Sequence, residues 1–546
     1  MTHRTDGGDA VIAAFTAAGA DWIFSSPGSE WAPVWESLAR RHRDGLPCPR
    51  YLDLTHETVA VGMAAGYALV TRRPQGVLLH AGPGLLQGSM AIHGALLAGV
   101  PMVVASSESS TYGDGPGPDP GGQWYRNLSV VGGPHTMAAP FTKWSNQAAS
   151  VHTLTTMITR SAEMASRAPA GPVYLNIPLE VLLEEWAGPD PKPVVARGAT
   201  VSAAGDVRAV LELLTAASNP VIVTETTGRE EGGMAALVAF AEALRIPVVE
   251  PASAVCANFP RTHELHAGSE FAPDAHDVIV LLNCRAPFYP PSRKPATAKI
   301  VVIDEVPQRP HIAYQVLNAD HYLEGGVVAT LRELAAHAVP TRVAPIGTER
   351  EAVAAVERKT AGTLDPVQVA AALRTVPEAV VVDETITHSR VVQRHLQRDE
   401  PDSYFYVQGG LGQGIAVALG VKLAAPDRTV VLTIGDGAFL YNPIVQSLQA
   451  SRANVLPLLI VVFNNHEYRS MKMNHLRFYP EGAAVSTGEF LGNDLADQPD
   501  LAALAAPFAM HAETVETPDE LAPALARAVK SVRGGTTAIV NVHVSR

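Results

Sequence analysis

Between Thr429 and Asn465 the chain reads strand, Gly-Asp-Gly, helix, strand, Asn-Asn, and this stretch restricts the fold more than any other. Thr429-Val-Val-Leu-Thr-Ile434 and Leu456-Pro-Leu-Leu-Ile-Val-Val-Phe463 are the apolar, β-branched runs that parallel strands buried on both faces require. The residues from Asn442 to Ala453 read as a helix between them. A right-handed crossover makes the two strands parallel, so Asp436 and Asn465 emerge at one edge of the sheet. Open α/β sheets bind ligands at that edge. One carboxylate, one amide oxygen and nearby carbonyls form a hard-oxygen set. It suits Mg²⁺, which takes few protein ligands and completes its octahedron with phosphate oxygens and water. Gly435 and Gly437 let a diphosphate approach the backbone where the helix starts. Alone, Gly-Asp-Gly is a common turn; the flanking strands and the Asn pair make it a site.

The rest of the chain repeats the alternation of strand and helix. A first block carries strands at Trp22–Phe24, Arg50–Leu54, Gly76–Leu79, Pro101–Ala105 and Val173–Ile177. A Pro-rich connector, Ala187–Pro193, reads as an extended linker. A second block has strands at Val221–Val223, Val278–Leu282 and Ile300–Asp304, and a second linker falls near Thr341–Leu364. The third block adds Ala379–Asp383 and Thr537–Asn541 to the two strands above. The expected fold is α/β, with three doubly wound, mostly parallel-sheet domains over residues 1–186, 195–340 and 362–546. At 546 residues the chain exceeds what one core supports. The polar, breaker-rich stretch Ser106–Pro134 is a long loop, and Trp124 and Tyr125 within it suggest that it packs on something.

Composition mainly excludes. A formal charge of −13 with no basic run argues against nucleic acid and anionic membranes as partners. No apolar run of about 18 residues and no N-terminal signal segment is present, so the expectation is a cytoplasmic protein. Cys48, Cys256 and Cys284 have no metal spacing and read as reduced, buried thiols.

Gly435-Asp-Gly437 followed by Asn464-Asn465 resembles the metal and diphosphate signature of the thiamine-diphosphate enzymes, in the branch of 2-oxo-acid decarboxylases and acetohydroxyacid synthases. The resemblance covers nearly the whole chain, because N-terminal motifs of that family occur in the same order. It implies a pyrimidine-binding, a central and a diphosphate-binding domain, with thiamine diphosphate and Mg²⁺ as cofactors. The implied metal ligands are Asp436, Asn465 and the carbonyl of Glu467. Cofactor contacts fall on Gly435, Gly437, Ala438, His466, Glu467 and Tyr468. Thr385, Thr387 and His388, after the strand ending at Asp383, lie where hydroxyls reach the diphosphate; a capped helix start is the plainer account of them.

Glu57, in Thr55-His-Glu-Thr-Val-Ala60, opens a helix from Val59 to Leu69. A Glu in a first turn is ordinarily a complement to the helix dipole. Its place before the Gly82-Pro-Gly84 loop matches the family's catalytic glutamate, which hydrogen-bonds the aminopyrimidine and favours its imino tautomer. That function calls for an apolar setting in which the carboxyl pKa is raised. His80, before that loop, and Ser29, in Ser26-Pro-Gly-Ser29, match the pattern of benzoylformate decarboxylases most closely, where both are catalytic. In Gln408-Gly-Gly-Leu-Gly412, the carbonyl of Gly409 would take the 4′-amino group and Leu411 would wedge under the bent cofactor. In this family Glu57 and Asp436 come from different subunits, which implies a homodimer or homotetramer.

The chain also departs from the pattern. The stretch Arg285–Ser292 lacks the second His of benzoylformate decarboxylases, and Ser106-Ser-Glu108 stands where pyruvate decarboxylases carry a His pair. The helix after Asn465, His466–Asn474, is polar for an aryl pocket. The proton relay that releases an aldehyde is thus incomplete. The expected activity is decarboxylation of a small 2-oxo acid with transfer of the acyl carbanion to an aldehyde or ketone acceptor, as in acetolactate synthases. A simple decarboxylase releasing aldehyde is the alternative within catalysis. An inactive regulatory relative is disfavoured by the intact Glu57, Asp436 and Asn465. A dinucleotide oxidoreductase is disfavoured because no Gly-x-Gly-x-x-Gly follows a strand.

Overall fold

The computed structural model describes residues 5–126, 128–195, 198–270, 272–285, 287–288, 290–309, 318–339 and 364–545. Of the sequence expectations, Asn127 of the long loop, Ala286 and Tyr289 of the Arg285–Ser292 stretch, and the linker residues 341–363 lie outside the described residues.

Seventeen strands form three sheets among the described residues, and every pairing within them is parallel. The first sheet holds β1 (Trp22–Ser26), β2 (Arg50–Asp53), β3 (Gln75–Leu79), β4 (Met102–Ser106), β5 (Trp144–Gln147) and β6 (Pro172–Asn176), in the order β2-β1-β3-β4-β6-β5. The second holds β7 (Pro220–Thr224), β8 (Val248–Val249), β9 (Val278–Leu282), β10 (Lys299–Asp304) and β11 (His321–Glu324), ordered β11-β10-β9-β7-β8. The third holds β12 (Ala379–Glu384), β13 (Tyr404–Tyr406), β14 (Thr429–Gly435), β15 (Leu459–Asn464), β16 (His511–Val515) and β17 (Ala538–His543), ordered β13-β12-β14-β15-β17-β16. The first and third sheets therefore share one topology. In both, the chain reverses its direction of winding between the first and third strands, and ligand sites form at the carboxyl ends there.

The fold class is as expected: three parallel-sheet α/β domains. Five strands were not legible in the sequence: β5, β8, β11, β13 and β16. All five lie at sheet edges. An edge strand is covered on fewer sides, so it needs no continuous apolar run; Trp144-Ser-Asn-Gln147 and His321-Tyr-Leu-Glu324 are mostly half-buried or exposed. The expected Asn442–Ala453 helix runs Ile444–Ala453, two residues shorter at its start, and a separate short helix, Asp436–Tyr441, precedes it. The break falls at Asn442-Pro443, where Asn442 Oδ1 accepts from the Ile415 N–H at 3.2 Å and Pro443 has no N–H to offer. The Glu57 helix runs Glu57–Thr71, two residues longer at each end than its pattern suggested. No helix among the described residues is long and apolar enough to cross a membrane.

Contacts divide the chain into two compact units. One comprises residues 1–197, 407–427 and 440–458, with the first sheet and its helices. Its core packs Ile23, Leu78, Val103 and Leu175 of the sheet against Phe15, Trp31 and Ile158. Within it the Glu57–Thr71 and Gly414–Ala424 helices cross backbone to backbone: a Cβ on Gly66 would overlap the Val417 carbonyl, and one on Gly420 the Met63 carbonyl. The other unit comprises residues 198–406, 428–439 and 459–546, with the second and third sheets. From Ala187 to Ala203 the described residues form no helix or strand, as the Pro-rich connector implied.

Candidate active site

In the first unit, the ends of β1 and β3 lie side by side because those strands pair directly. The chain leaves β1 through Pro27-Gly28 into a 3₁₀ turn, Ser29–Trp31, which Trp31 pins by donating from Nε1 to the Leu79 carbonyl at 2.8 Å. This turn buries Glu30 completely and leaves Ser29 exposed. Glu30 Oε1 accepts from His80 Nδ1 at 2.8 Å and from the Ala81 N–H at 2.8 Å. The partner of His80 is thus Glu30, a residue the sequence motifs did not single out, and not Ser29. The hydrogen bond to Glu30 raises the His80 pKa, with the charges of Glu30 and Glu57 adding to it and partial burial opposing.

Glu57 is the first residue of its helix, but it does not cap it. His56 does so, its Nδ1 accepting from the Thr58 N–H at 3.2 Å. The Glu57 carboxylate instead faces the Gly82-Pro-Gly84 loop. A Cβ on Gly84 would lie 2.8 Å from His80 Cβ and 3.1 Å from Glu57 Oε1, so this glycine lets both side chains approach. In the same unit, Gly409, Gly410 and Gly412 have φ of +93°, +121° and +96°, a path open to glycine and few other residues. Gln413 steadies the loop by donating from Nε2 to the carbonyls of Gln408 at 3.4 Å and Gly410 at 3.3 Å. Leu411 is half-buried.

In the second unit, β14 and β15 pair so that Gly435 lies beside Phe463, and Asp436 and Asn465 follow at the same edge. Asp436 is 3% exposed. Its Oδ1 accepts from the Gly437 N–H at 2.9 Å, and its Oδ2 is buried with no hydrogen-bond partner among the described residues. Burial pushes its carboxyl up to about 6. Asn465 Oδ1 accepts from the Glu467 N–H at 3.1 Å, and its Nδ2 lies 3.4 Å from His388 Nε2. Burial holds His388 down at about 4, with the Arg469 charge adding to the effect, so the ring is neutral and can accept. Glu467 is buried, its two oxygens held by Arg469 at 3.3 Å and Lys472 at 2.9 Å. Ala438 is buried, His466 and Tyr468 half-buried. A Cβ on Gly437 would overlap the Tyr468 ring.

Two partners here had no signal in the sequence. Asp383, fully buried at the end of β12, accepts from the hydroxyls of Thr385 at 2.7 Å, Thr433 at 2.9 Å and Tyr404 at 2.9 Å. The Thr385 proton expected at a diphosphate is therefore committed to Asp383, while Thr387 is half-buried beyond it. Gln498 donates from Nε2 to Asn464 Oδ1 at 2.7 Å and lies 2.9 Å from His466 Nδ1. The first Asn of the pair is thus structural, and the second is left at the edge.

The long loop after β4 is tied down at both ends. Glu180 takes the Ser109 hydroxyl at 2.5 Å and the Thr111 N–H at 2.8 Å, and Glu108 takes the Val130 N–H at 3.0 Å. Trp124 is buried, edge-on to Tyr112 at 6.2 Å, so the loop packs as its aromatic residues suggested. All three cysteines are free thiols, but only Cys256 is buried; Cys48 and Cys284 are intermediate, a correction to the sequence reading.

Family models of the thiamine pyrophosphate enzymes match in chain order: the N-terminal TPP binding domain over residues 5–128, the central domain over 207–334 and the C-terminal TPP binding domain over 385–542. Benzoylformate decarboxylase of Pseudomonas aeruginosa is 29% identical over 484 residues, 82% of this chain and 84% of that one. The acetolactate synthase large subunit of Haemophilus influenzae is 24% identical over 554 residues, 95% of this chain and 91% of that one. Among solved structures, the thiamine diphosphate-dependent 4-hydroxybenzoylformate decarboxylase of Rhodococcus jostii superposes with a TM-score of 0.82 at 25% identity, covering 99% of both chains.

Proposed function

Because this chain belongs to the thiamine pyrophosphate enzymes, within the superfamily of 2-oxo-acid decarboxylases and acetolactate synthases, we propose that it decarboxylates a small 2-oxo acid with thiamine diphosphate and Mg²⁺ and releases the aldehyde. The observation that carries this reading is His80, partly exposed beside Glu57 and backed by a buried carboxylate. An imidazole so held keeps its proton to higher pH than a free one, and aldehyde release needs a proton donor. This reverses the order of the two activities expected from the sequence, where the relay looked incomplete.

The residues present fit the cofactor and its ion. Asp436 Oδ2, buried without a partner, is the acceptor that a cation would satisfy. Asn465 and the Glu467 carbonyl would complete the protein ligands. A set with one charged side chain suits an ion content with few protein ligands, such as Mg²⁺. Gly435, Gly437 and Ala438, with His466 and Tyr468, would line the diphosphate, Thr387 and His388 would face it, and Gly409, Leu411 and Glu57 would take the aminopyrimidine. Thiamine diphosphate, when bound, supplies the electron sink for the pair left by CO₂. With it bound, Glu57 would hold a proton at the pyrimidine nitrogen, Leu411 would pack against the cofactor, and His80 would deliver the proton that makes the aldehyde. Ser29, exposed in the same turn, would meet the substrate. The domain limits 1–186, 195–340 and 362–546, and a homodimer or homotetramer, belong to the same proposal.

Transfer to an acceptor carbonyl is the second reading. It is favoured by the polar character of the Arg469–Phe478 helix, none of whose residues is buried. Incubating the protein with Mg²⁺, thiamine diphosphate and a panel of 2-oxo acids, with and without added aldehydes, separates the readings by mass spectrometry. Aldehyde with CO₂ supports the first and a ligated hydroxyketone the second. No CO₂ from any 2-oxo acid overturns both.

A further inference from the structure

Glu30 takes part in none of the motifs that carry the cofactor chemistry, yet it is fully buried while its neighbour Ser29 is exposed. One of its oxygens accepts two donors, His80 Nδ1–H and Ala81 N–H, and the other is buried with no partner among the described residues. A carboxylate buried with an unused oxygen is a poor choice for stability alone, since a neutral side chain of that shape avoids the desolvation. The surroundings are nonetheless built around it. A Cβ on Gly28 would overlap His80 Nδ1 and both Glu30 oxygens, so the preceding residue has no side chain where the pair forms.

The pairing also decides which imidazole nitrogen is available. An ionised carboxylate only accepts, so Nδ1 of His80 must carry the hydrogen, and Nε2 is left for chemistry. This is how a buried carboxylate sets tautomer and orientation of a catalytic histidine and stabilises its charged form. The charged groups that face His80 are Glu30, from the Ser29–Trp31 turn, and Glu57, from the Glu57–Thr71 helix. Both are acidic.

Resting on the decarboxylase reading, we propose that Glu30 is a positioning residue, holding His80 by Nδ1 so that its Nε2–H protonates the carbon from which CO₂ has left. In that step the Nε2–H bond breaks and a C–H bond forms with the electron pair that CO₂ left behind. The imidazolium becomes neutral imidazole, with Nδ1–H still on Glu30, and regains its proton from water. No oxidant or reductant takes part.

Full-length protein labelled with ¹⁵N-histidine tests this by two independent readouts. The His80 signals are identified by their loss in His80→Gln and followed against pH, with and without thiamine diphosphate and Mg²⁺. Wild type should show the Nδ1–H tautomer and a midpoint above that of an ordinary histidine. Glu30→Gln should lower the midpoint by about 1–3 pH units. For whichever 2-oxo acid is turned over, Glu30→Gln should lower kcat about 10²-fold with little change in KM. The alkaline limb of its pH profile, where His80 loses its proton, should move to lower pH, and Glu30→Asp should recover part of the loss. A kcat loss with an unmoved pH profile, or an unmoved His80 midpoint, would mean a merely structural Glu30 and overturns the proposal. Should Glu30→Gln not fold, the wild-type tautomer decides, and Nε2–H in the neutral ring overturns it. If no 2-oxo acid is decarboxylated while His80 titrates through Glu30, the decarboxylase reading fails and the hold of Glu30 on His80 stands.

Discussion

Replacing Asp436 by Asn tests the ion site through a quantity the structure supplies. Asp436 is 3% exposed, one oxygen has no partner, and burial moves its carboxyl from 3.8 to about 6. A rise of about two pH units, at about 1.4 kcal/mol each, means that charging this group in the metal-free chain costs about 3 kcal/mol. The folded-state value lies above the unfolded one. The stability due to the neutral acid is therefore fully present below about pH 4 and is lost as pH rises through about 6. Asn is uncharged throughout. Metal-free Asp436→Asn should be close to wild type near pH 3.5 and more stable by about 1–3 kcal/mol at pH 7.5, with about half of that difference present by pH 5, the lower figure allowing for an amide N–H left without an acceptor. Urea unfolding of metal-stripped protein across this pH range, with other carboxylates cancelling between variant and wild type, reads the difference. Mg²⁺ with thiamine diphosphate should invert the order, because only the wild type has a charge to pair with the ion. A difference that stays flat with pH, or full Mg²⁺-dependent cofactor binding by the variant, refutes the argument.

Glu57→Gln should leave thiamine diphosphate bound but slow hydrogen–deuterium exchange at its C2 by about 10²- to 10⁴-fold. Unchanged exchange, with only the about 0.3–1 kcal/mol due to a first-turn charge lost, would make Glu57 structural. Gly66→Ala places a methyl group on the Val417 carbonyl and should cost about 1–3 kcal/mol or more in thermal melts. Gly205→Ala, in the Ala204–Ala216 helix with open space around it, should instead be neutral or stabilise by up to about 1 kcal/mol; similar melts for the two would deny the close helix crossing. Light scattering at assay concentration should find a dimer or tetramer, and a fully active monomer would contradict the expected assembly.

Local pattern was enough to identify the sheet centres. Runs such as Thr429–Ile434 and Val278–Leu282 are buried at every position because parallel strands are covered on both faces, and their apolar and β-branched residues write that requirement one by one. The same locality marked the proposed ion edge, since one βαβ unit carries both Asp436 and Asn465. The edge strands escaped because a strand covered on fewer sides can be short and polar, and only its neighbour defines it. The site partners escaped for a related reason. Glu30 and His80 are 50 residues apart, and Asn464 and Gln498 are 34 apart. Nothing along the chain says which carboxylate meets which imidazole. Ser29 and Glu30 are equally close to the glycine turn in sequence. The direct pairing of β1 with β3, and the 3₁₀ turn that Trp31 pins to Leu79, send the first outward and the second inward. Sequence thus determined what chemistry this chain could hold and at which strand ends, because those depend on local burial. The tertiary structure alone decided which side chains face each other there, because that depends on strand order.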